Sequence, residues 1–364
     1  MTPSRLHQLN AAGQSVWLDY IDRTMLRNGE LARRIRDDAL TGMTSNPTIF
    51  EKALAEGTAY DEQLAGAPAG LSAWELFELV ETDDVRAACD IFAPVYERTR
   101  GNDGYVSIEV SPAAANNADA TVREAQRLWH AVDRPNLMVK VPGTVEGATA
   151  VRQLISQGIN VNITLLFAID AHDRVINAYM TGLEERVREG KPVANVASVA
   201  SFFVSRVDSE ADKRLEHAPE LQGKLAVANA KLAYRRYKEL FSGPRWEALA
   251  GKGATPQRCL WASTSTKNPD YPDTLYVDEL IGPATVNTMP LETIEAFQDH
   301  GTVADTLERG VEEAEQLLGR LAEAGVDYDD VTETLEREGV QKFADSFEQL
   351  LEGIRAKRSE LAAA

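Results

Sequence analysis

The sequence predicts an α/β fold, a (β/α)8 TIM barrel with additional C-terminal helices, on three observations. Short runs of strand character alternate with longer amphipathic stretches through most of the 364 residues, the pattern of repeated β-α units around a parallel sheet. The number of such runs is the barrel number, and polar side chains recur with the same parity at their carboxyl ends. A doubly wound open sheet produces the same alternation, so the count and the shared polar face are what favour closure. A chain of this length fits one barrel, and residues 1–364 read as one domain with 289–364 as helices packed on it.

The expected strands are residues 15–19, 40–44, 105–110, 137–140, 159–164, 196–203, 258–263 and 274–277. In the first, Val16 and Leu18 share one face and Ser15, Trp17 and Asp19 the other. The second runs into the loop Thr44-Ser-Asn-Pro47. In the third, Val106, Ile108 and Val110 oppose Tyr105, Ser107 and Glu109, and in the fourth Leu137 and Val139 oppose Met138 and Lys140. The fifth turns Ile159, Val161 and Ile163 to the helices and Asn160, Asn162 and Thr164 to the lumen. The sixth ends near Ser201, and the same reading of the seventh puts Ser263 inward. Between the strands, 73–98, 121–132, 144–157, 169–188 and 209–240 are apolar at helical spacing. Residues 65–70 and 243–257 read as weakly structured interruptions rather than linkers. The acidic segments 291–300, 303–324 and 328–357 are expected to wrap the barrel or cover its mouth.

A closed parallel barrel gathers the carboxyl ends of its strands on one face, where Asp19, Asn46, Glu109, Lys140, Asn162, Thr164, Ser201 and Ser263 would meet. Lys140 is the most telling. A buried ammonium without a partner is costly, and such a group ordinarily ends as a neutral, nucleophilic amine. The plain alternative is a strand-end lysine whose head reaches solvent, and each of the other residues can be a hydrogen-bonded strand-end group. Together, a lysine and two carboxyl groups supply what imine chemistry needs: an amine to attack a ketone and groups to move protons. Arg206 and Lys267 add cations beside small hydroxyl residues after the sixth and seventh strands, a fitting cradle for a phosphate. For Arg206 a salt bridge to Asp208 is an equal alternative.

The formal charge of −19 argues against a polyanionic partner, so no nucleic acid is expected. No run approaches a membrane span, and Cys89 and Cys259 form neither a metal spacing nor a disulfide framework. A cytoplasmic protein without cofactor or metal, monomer or homodimer, is the expectation. A metal-dependent barrel enzyme is a rival, since strand-end carboxylates can ligate Mg²⁺ or Zn²⁺, although none of the five histidines falls at a strand end. A non-catalytic sugar-phosphate binder is a second.

Thr44-Ser-Asn-Pro-Thr48, Val106-Ser-Ile-Glu-Val110, Leu137-Met-Val-Lys-Val-Pro142, Gly158-Ile-Asn-Val-Asn-Ile-Thr-Leu-Leu-Phe167 and Ser201-Phe-Phe-Val-Ser-Arg206 together resemble the transaldolases, Schiff-base enzymes of the pentose phosphate pathway. Trp261-Ala-Ser-Thr and Lys267-Asn-Pro-Asp-Tyr-Pro-Asp-Thr-Leu-Tyr-Val277 are similar to the longer bacterial and plant subgroup. The resemblance implies that Lys140 forms the Schiff base, Glu109 and Thr164 manage the catalytic water, and Asp19 is the acid/base for carbon–carbon cleavage. It implies that Asn46 and Asn162 hold the dihydroxyacetone hydroxyls, that Ser201 meets the substrate, and that Arg206 and Ser263 belong to the phosphate site. Shorter members carry an arginine two residues after the Ser263 position; here that residue is Ser265 and the nearest cation is Lys267. The implied partners are small-molecule sugar phosphates. A dihydroxyacetone-dependent class I aldolase of the same fold is the nearest alternative.

Overall fold

A computed structural model describes residues 3–55 and 57–363. Eight parallel strands close into a barrel in sequence order: β1 (Gln14–Asp19), β2 (Gly42–Thr44), β3 (Val106–Glu109), β4 (Leu137–Pro142), β5 (Val161–Leu166), β6 (Ser198–Phe203), β7 (Arg258–Ala262) and β8 (Thr285–Met289). β1 pairs with both β2 and β8, which closes the ring. Among the described residues, no helix is long and apolar enough to cross a membrane.

Seven strands fall where alternation places them; the eighth does not. Residues 274–277 form no strand. The Leu275–Asp278 stretch is a single helical turn, with the Thr274 hydroxyl donating to Asp278 at 2.8 Å. The true β8 is Thr-Val-Asn-Thr-Met, polar at three of five positions although all five are buried. Distant residues reach two of its polar side chains: Gln14 donates to the Thr285 hydroxyl at 3.0 Å and Thr264 to the Asn287 oxygen at 2.8 Å. Buried polar side chains of this kind carry no local hydrophobic signal. Residues 209–240 are likewise not one helix. The chain runs through Ser205–Ala211, two 3-10 turns and Leu225–Leu240, broken at Pro219 and at Gly223, whose φ is 69°. The stretch 243–257 holds a short helix, Pro244–Ala250.

Helix Ala73–Arg98 starts where Ser72 and Glu75 form a reciprocal capping box, a device worth about 1 kcal/mol. Its apolar side, with those of the other outer helices, meets the outward residues of the strands, such as Val16, Leu18, Val139 and Val161, in one continuous core. Inside the barrel a second, smaller cluster of Trp17, Tyr105, Met138, Val199, Leu260, Ala262 and Val286 fills the lumen and makes a floor. Beneath it, Asp103 accepts hydrogen bonds from Ser15 and from the Trp17 indole, and lies 3.6 Å from Arg258.

The floor depends on a glycine. Gly42 is the register partner of Trp17, and a Cβ there would stand 2.5 Å from the indole. Gly42→Ala is therefore expected to destabilise the fold by about 1–3 kcal/mol, read as a lower urea midpoint with unchanged slope. An unchanged midpoint would show that the indole can move aside.

The long helix Tyr328–Ala363 passes over the carboxyl-end face of the barrel, where its Gly339, Lys342, Phe343 and Ser346 line the same cavity as the strand-end residues. Phe347 packs on Trp74 with ring centroids 4.9 Å apart, and Arg358 donates to the carbonyls of Leu71 and Pro68. Lys357 pairs with Asp61 at 3.0 Å, and Asp330 pairs with Arg214 near the other end.

Candidate active site

A cavity of about 1140 Å³ opens at the carboxyl ends of the strands. Asp19, Asn46, Glu109, Lys140, Thr164, Ser201, Arg206, Ser263 and Lys267 all line it. Asn162 lies one layer lower, fully buried, with its amide nitrogen donating to Ser107 at 3.0 Å and its oxygen accepting from Ser201 at 2.7 Å. It thereby fixes the Ser201 hydroxyl at the cavity wall.

Lys140 is 8 % exposed, so it is buried in the wall of the cavity and not extended into bulk water. Nor is it alone. Register places it between Glu109 on β3 and Asn162 on β5, and Nζ donates to Glu109 Oε2 at 3.0 Å and to the Ser45 carbonyl at 3.1 Å. The unpartnered amine that strand parity suggests is thus a paired one. Burial raises the Glu109 pKa above the ordinary carboxylate range, ahead of the opposing field and hydrogen bond of Lys140. A carboxyl group in that condition is a stronger base than an exposed one, suited to take the proton of a neighbouring amine and return it.

Asp19 ends β1 on the same cavity. Its Oδ1 accepts from the Thr44 hydroxyl at 2.8 Å, and Thr44 Oγ1 lies 2.7 Å from Thr288 Oγ1. Thr44 has one hydroxyl proton and gives it to Asp19, so Thr288 donates the second bond. The chain holds the carboxylate in place. Burial raises the Asp19 pKa, opposed in turn by the Lys140 charge and the Thr44 bond.

Asn46 spends its side-chain oxygen on the Ile49 N–H at 3.1 Å, at the start of helix Pro47–Ala55, leaving its amide nitrogen for the cavity. Ser263 reaches the wall for a reason alternation does not supply. Leu260 and Ala262 point into the lumen, so strict parity would send residue 263 outward; a φ of 55° turns it back, with its hydroxyl 2.9 Å from that of Ser205. Leu165, after Thr164, has a φ of 61° at a register shift in β5, and it too lines the cavity. Left-handed backbone in such residues costs roughly 1–2 kcal/mol each, and strain of this kind collects at functional sites.

At the β6–β7 side, the Arg206 guanidinium carbon lies 5.0 Å from the centre of the Phe203 ring. Among the described residues it forms no ion pair with a carboxylate; Asp208 instead accepts from Tyr276 at 2.9 Å and from the Ala226 N–H at 2.7 Å. Lys267 is exposed as a whole, but its ammonium donates to Ser265 at 2.6 Å. Lost hydration lowers its pKa, and the Arg206 charge lowers it further. Two cations in each other's field, neither of them ion-paired to a carboxylate among the described residues, make a place for an anion.

Several wall residues went unread in the sequence. Thr44 shares the inward parity of its strand, a usable signal. Thr288 belongs to β8, whose polar sequence carries no strand alternation. Lys342, Phe343 and Ser346 come from the long final helix, and only its passage over the mouth brings them in.

The closed barrel and the polar cavity at its strand ends define a (β/α)8-barrel enzyme with its chemistry at the carboxyl face. The family model described as transaldolase/fructose-6-phosphate aldolase matches residues 16–354. The chain is 52% identical over 353 residues to a protein named transaldolase from Frankia alni, covering 95% of each chain. It is 53% identical over 357 residues to one of that name from Parafrankia sp., covering 96% of this chain and 97% of the other. A protein named transaldolase 2 from Nostoc sp. is 44% identical over 374 residues, covering 98% of each. This chain belongs to the transaldolase/fructose-6-phosphate aldolase family.

Proposed function

We propose that the protein transfers a three-carbon dihydroxyacetone unit from sedoheptulose 7-phosphate or fructose 6-phosphate to an aldose phosphate, glyceraldehyde 3-phosphate or erythrose 4-phosphate, through an imine on Lys140. The observation that carries this is the buried Lys140 amine, 3.0 Å from Glu109, in one cavity with Asp19 and two cations. The amine adds to the donor ketone, giving a carbinolamine. Glu109, with Thr164 orienting the water, supplies the proton with which hydroxide leaves, and the imine forms. Asp19 takes the proton of the C4 hydroxyl as the C3–C4 bond breaks. The electron pair passes into the imine, leaving an enamine on Lys140 and a free aldehyde. An incoming aldehyde reverses the step: the enamine carbon attacks it, and Asp19 returns its proton to the new alkoxide. Water then hydrolyses the imine and regenerates the amine.

Asn46 and Ser201, the latter held by Asn162, supply hydrogen bonds for the hydroxyls of the three-carbon unit, and Arg206, Lys267 and Ser263 take the phosphate. The names of the relatives favour transfer over release of free dihydroxyacetone, the activity of an aldolase. The proposed setting is the non-oxidative pentose phosphate pathway.

Reduction with borohydride during incubation with fructose 6-phosphate, followed by peptide mass mapping, tests the assignment. Lys52, Lys267 and Lys342 line the same cavity, which makes the map decisive. A reduced three-carbon adduct is expected on Lys140 alone. Its absence, or its presence on one of the other three, would rule the mechanism out.

A further inference from the structure

The two cations of the proposed phosphate corner stand on different elements. Arg206 belongs to the short helix Ser205–Ala211 after β6, and Lys267 to the segment 263–274 that leaves β7. Like charges repel, and no carboxylate among the described residues forms an ion pair with either. Something else must fix their separation.

Two phenol–carboxylate pairs join these elements or the turns that directly follow them, Asp212–Arg214 and Leu275–Asp278. The Tyr276 hydroxyl donates to Asp208 at 2.9 Å, and the Tyr271 hydroxyl to Asp212 at 2.7 Å. Both carboxylates stand within six positions after Arg206, and both phenols within nine after Lys267. The acceptors are themselves immobilised. The second oxygen of Asp208 accepts from the Ala226 N–H at 2.7 Å, and that of Asp212 from the Gly223 N–H at 2.9 Å. Tyr276 and Asp208 are buried, at 2 % and 1 % exposure, where such bonds are strongest and least screened. Gly223 lets the Tyr271 ring lie close, since a Cβ there would come within 2.7 Å of it. The near end of the segment is tied separately, by Ser263 to Ser205 and by Thr264 to Asn287. Lys267 is thus carried on a stretch pinned at both ends, and its far end is pinned to the Arg206 side.

We propose that the Tyr276–Asp208 and Tyr271–Asp212 pairs are positioning residues that set the spacing of Arg206 and Lys267 for one oxyanion, and so determine preference for phosphorylated over unphosphorylated sugars. The inference rests on the reading of that corner as the phosphate site. None of the four touches the reacting atoms, so they are expected to act on binding and not on the chemical step.

The test uses the full chain with Tyr271→Phe, Tyr276→Phe and both together. Phenylalanine keeps the rings and removes only the donors. In the double variant the KM for fructose 6-phosphate and the competitive Ki for inorganic phosphate are each expected to rise roughly tenfold, with kcat held within about twofold. The kcat/KM for unphosphorylated fructose should stay unchanged. Asp208→Ala, which removes the acceptor of the Tyr276 bond, should follow the tyrosine variants. Unchanged KM and Ki, or equal losses with both sugars, would overturn the proposal. Arg206→Ala and Lys267→Ala are the reference. Should they raise the phosphate Ki while the tyrosine variants do not, positioning alone is refuted. Should they leave it unchanged, the phosphate corner itself falls, and the positioning role with it.

Discussion

Lys140→Met is expected to abolish turnover, by roughly 10⁴- to 10⁶-fold, while the protein stays folded. Methionine fills nearly the same volume without the amine, so no imine can form and borohydride trapping on this residue must vanish with activity. The lysine is buried against Glu109, and its charge is what opposes the burial-driven rise of the Glu109 pKa. Without it that rise is larger. A carboxyl group whose folded pKa lies above its unfolded value contributes stability that is fully present below the unfolded value and is lost as pH rises through the folded one. The variant should therefore match or exceed the parent in acid and lose ground as pH rises, read from urea midpoints across that range. Residual turnover near the parental level would place the nucleophile elsewhere.

Asp19→Asn is expected to separate the two halves of the reaction. Removing a general acid/base typically costs 10²–10⁴-fold, so kcat for transfer should fall by about that much. Borohydride trapping of the donor should persist, because forming the imine uses Lys140 and Glu109. Asparagine can still accept from Thr44, so the hydrogen-bonded chain to Thr288 is retained and structural damage is minimised. In the parent, Asp19 must be deprotonated to receive the C4 hydroxyl proton. Because burial raises its pKa, the acid limb of kcat should lie above the ordinary carboxylate range. Loss of trapping together with loss of turnover in Asp19→Asn would contradict this division of labour.

Both predictions start from residues whose place was readable by parity. In β1, β3, β4 and β5 alternation is unbroken as far as Asp19, Glu109, Lys140 and Thr164, so counting by two from the apolar residues finds the inward side. Ser263 shows where counting stops working: it lines the cavity because its φ is positive, against the parity of its strand. The paired state of Lys140 was equally invisible, since Glu109 lies 31 positions away and becomes its neighbour only through the β3–β4 register. Asp208, the alternative partner for Arg206, accepts instead from Tyr276, on a stretch that reads as a strand and folds as a helical turn.

Alternating polarity and turn residues, acting within a few positions of each other, determined the parallel β-α plan and the polar ends of most strands. The tertiary structure decided the position of β8, the turning-in of Ser263, the partner of Lys140 and the roof contributed by Tyr328–Ala363. Each of these is a contact between residues far apart in sequence, and for the buried polar groups its free energy appears only when the distant partner arrives. A threonine in β8 or a lysine on the last helix therefore looks like an ordinary surface residue until closure of the barrel brings it to the cavity.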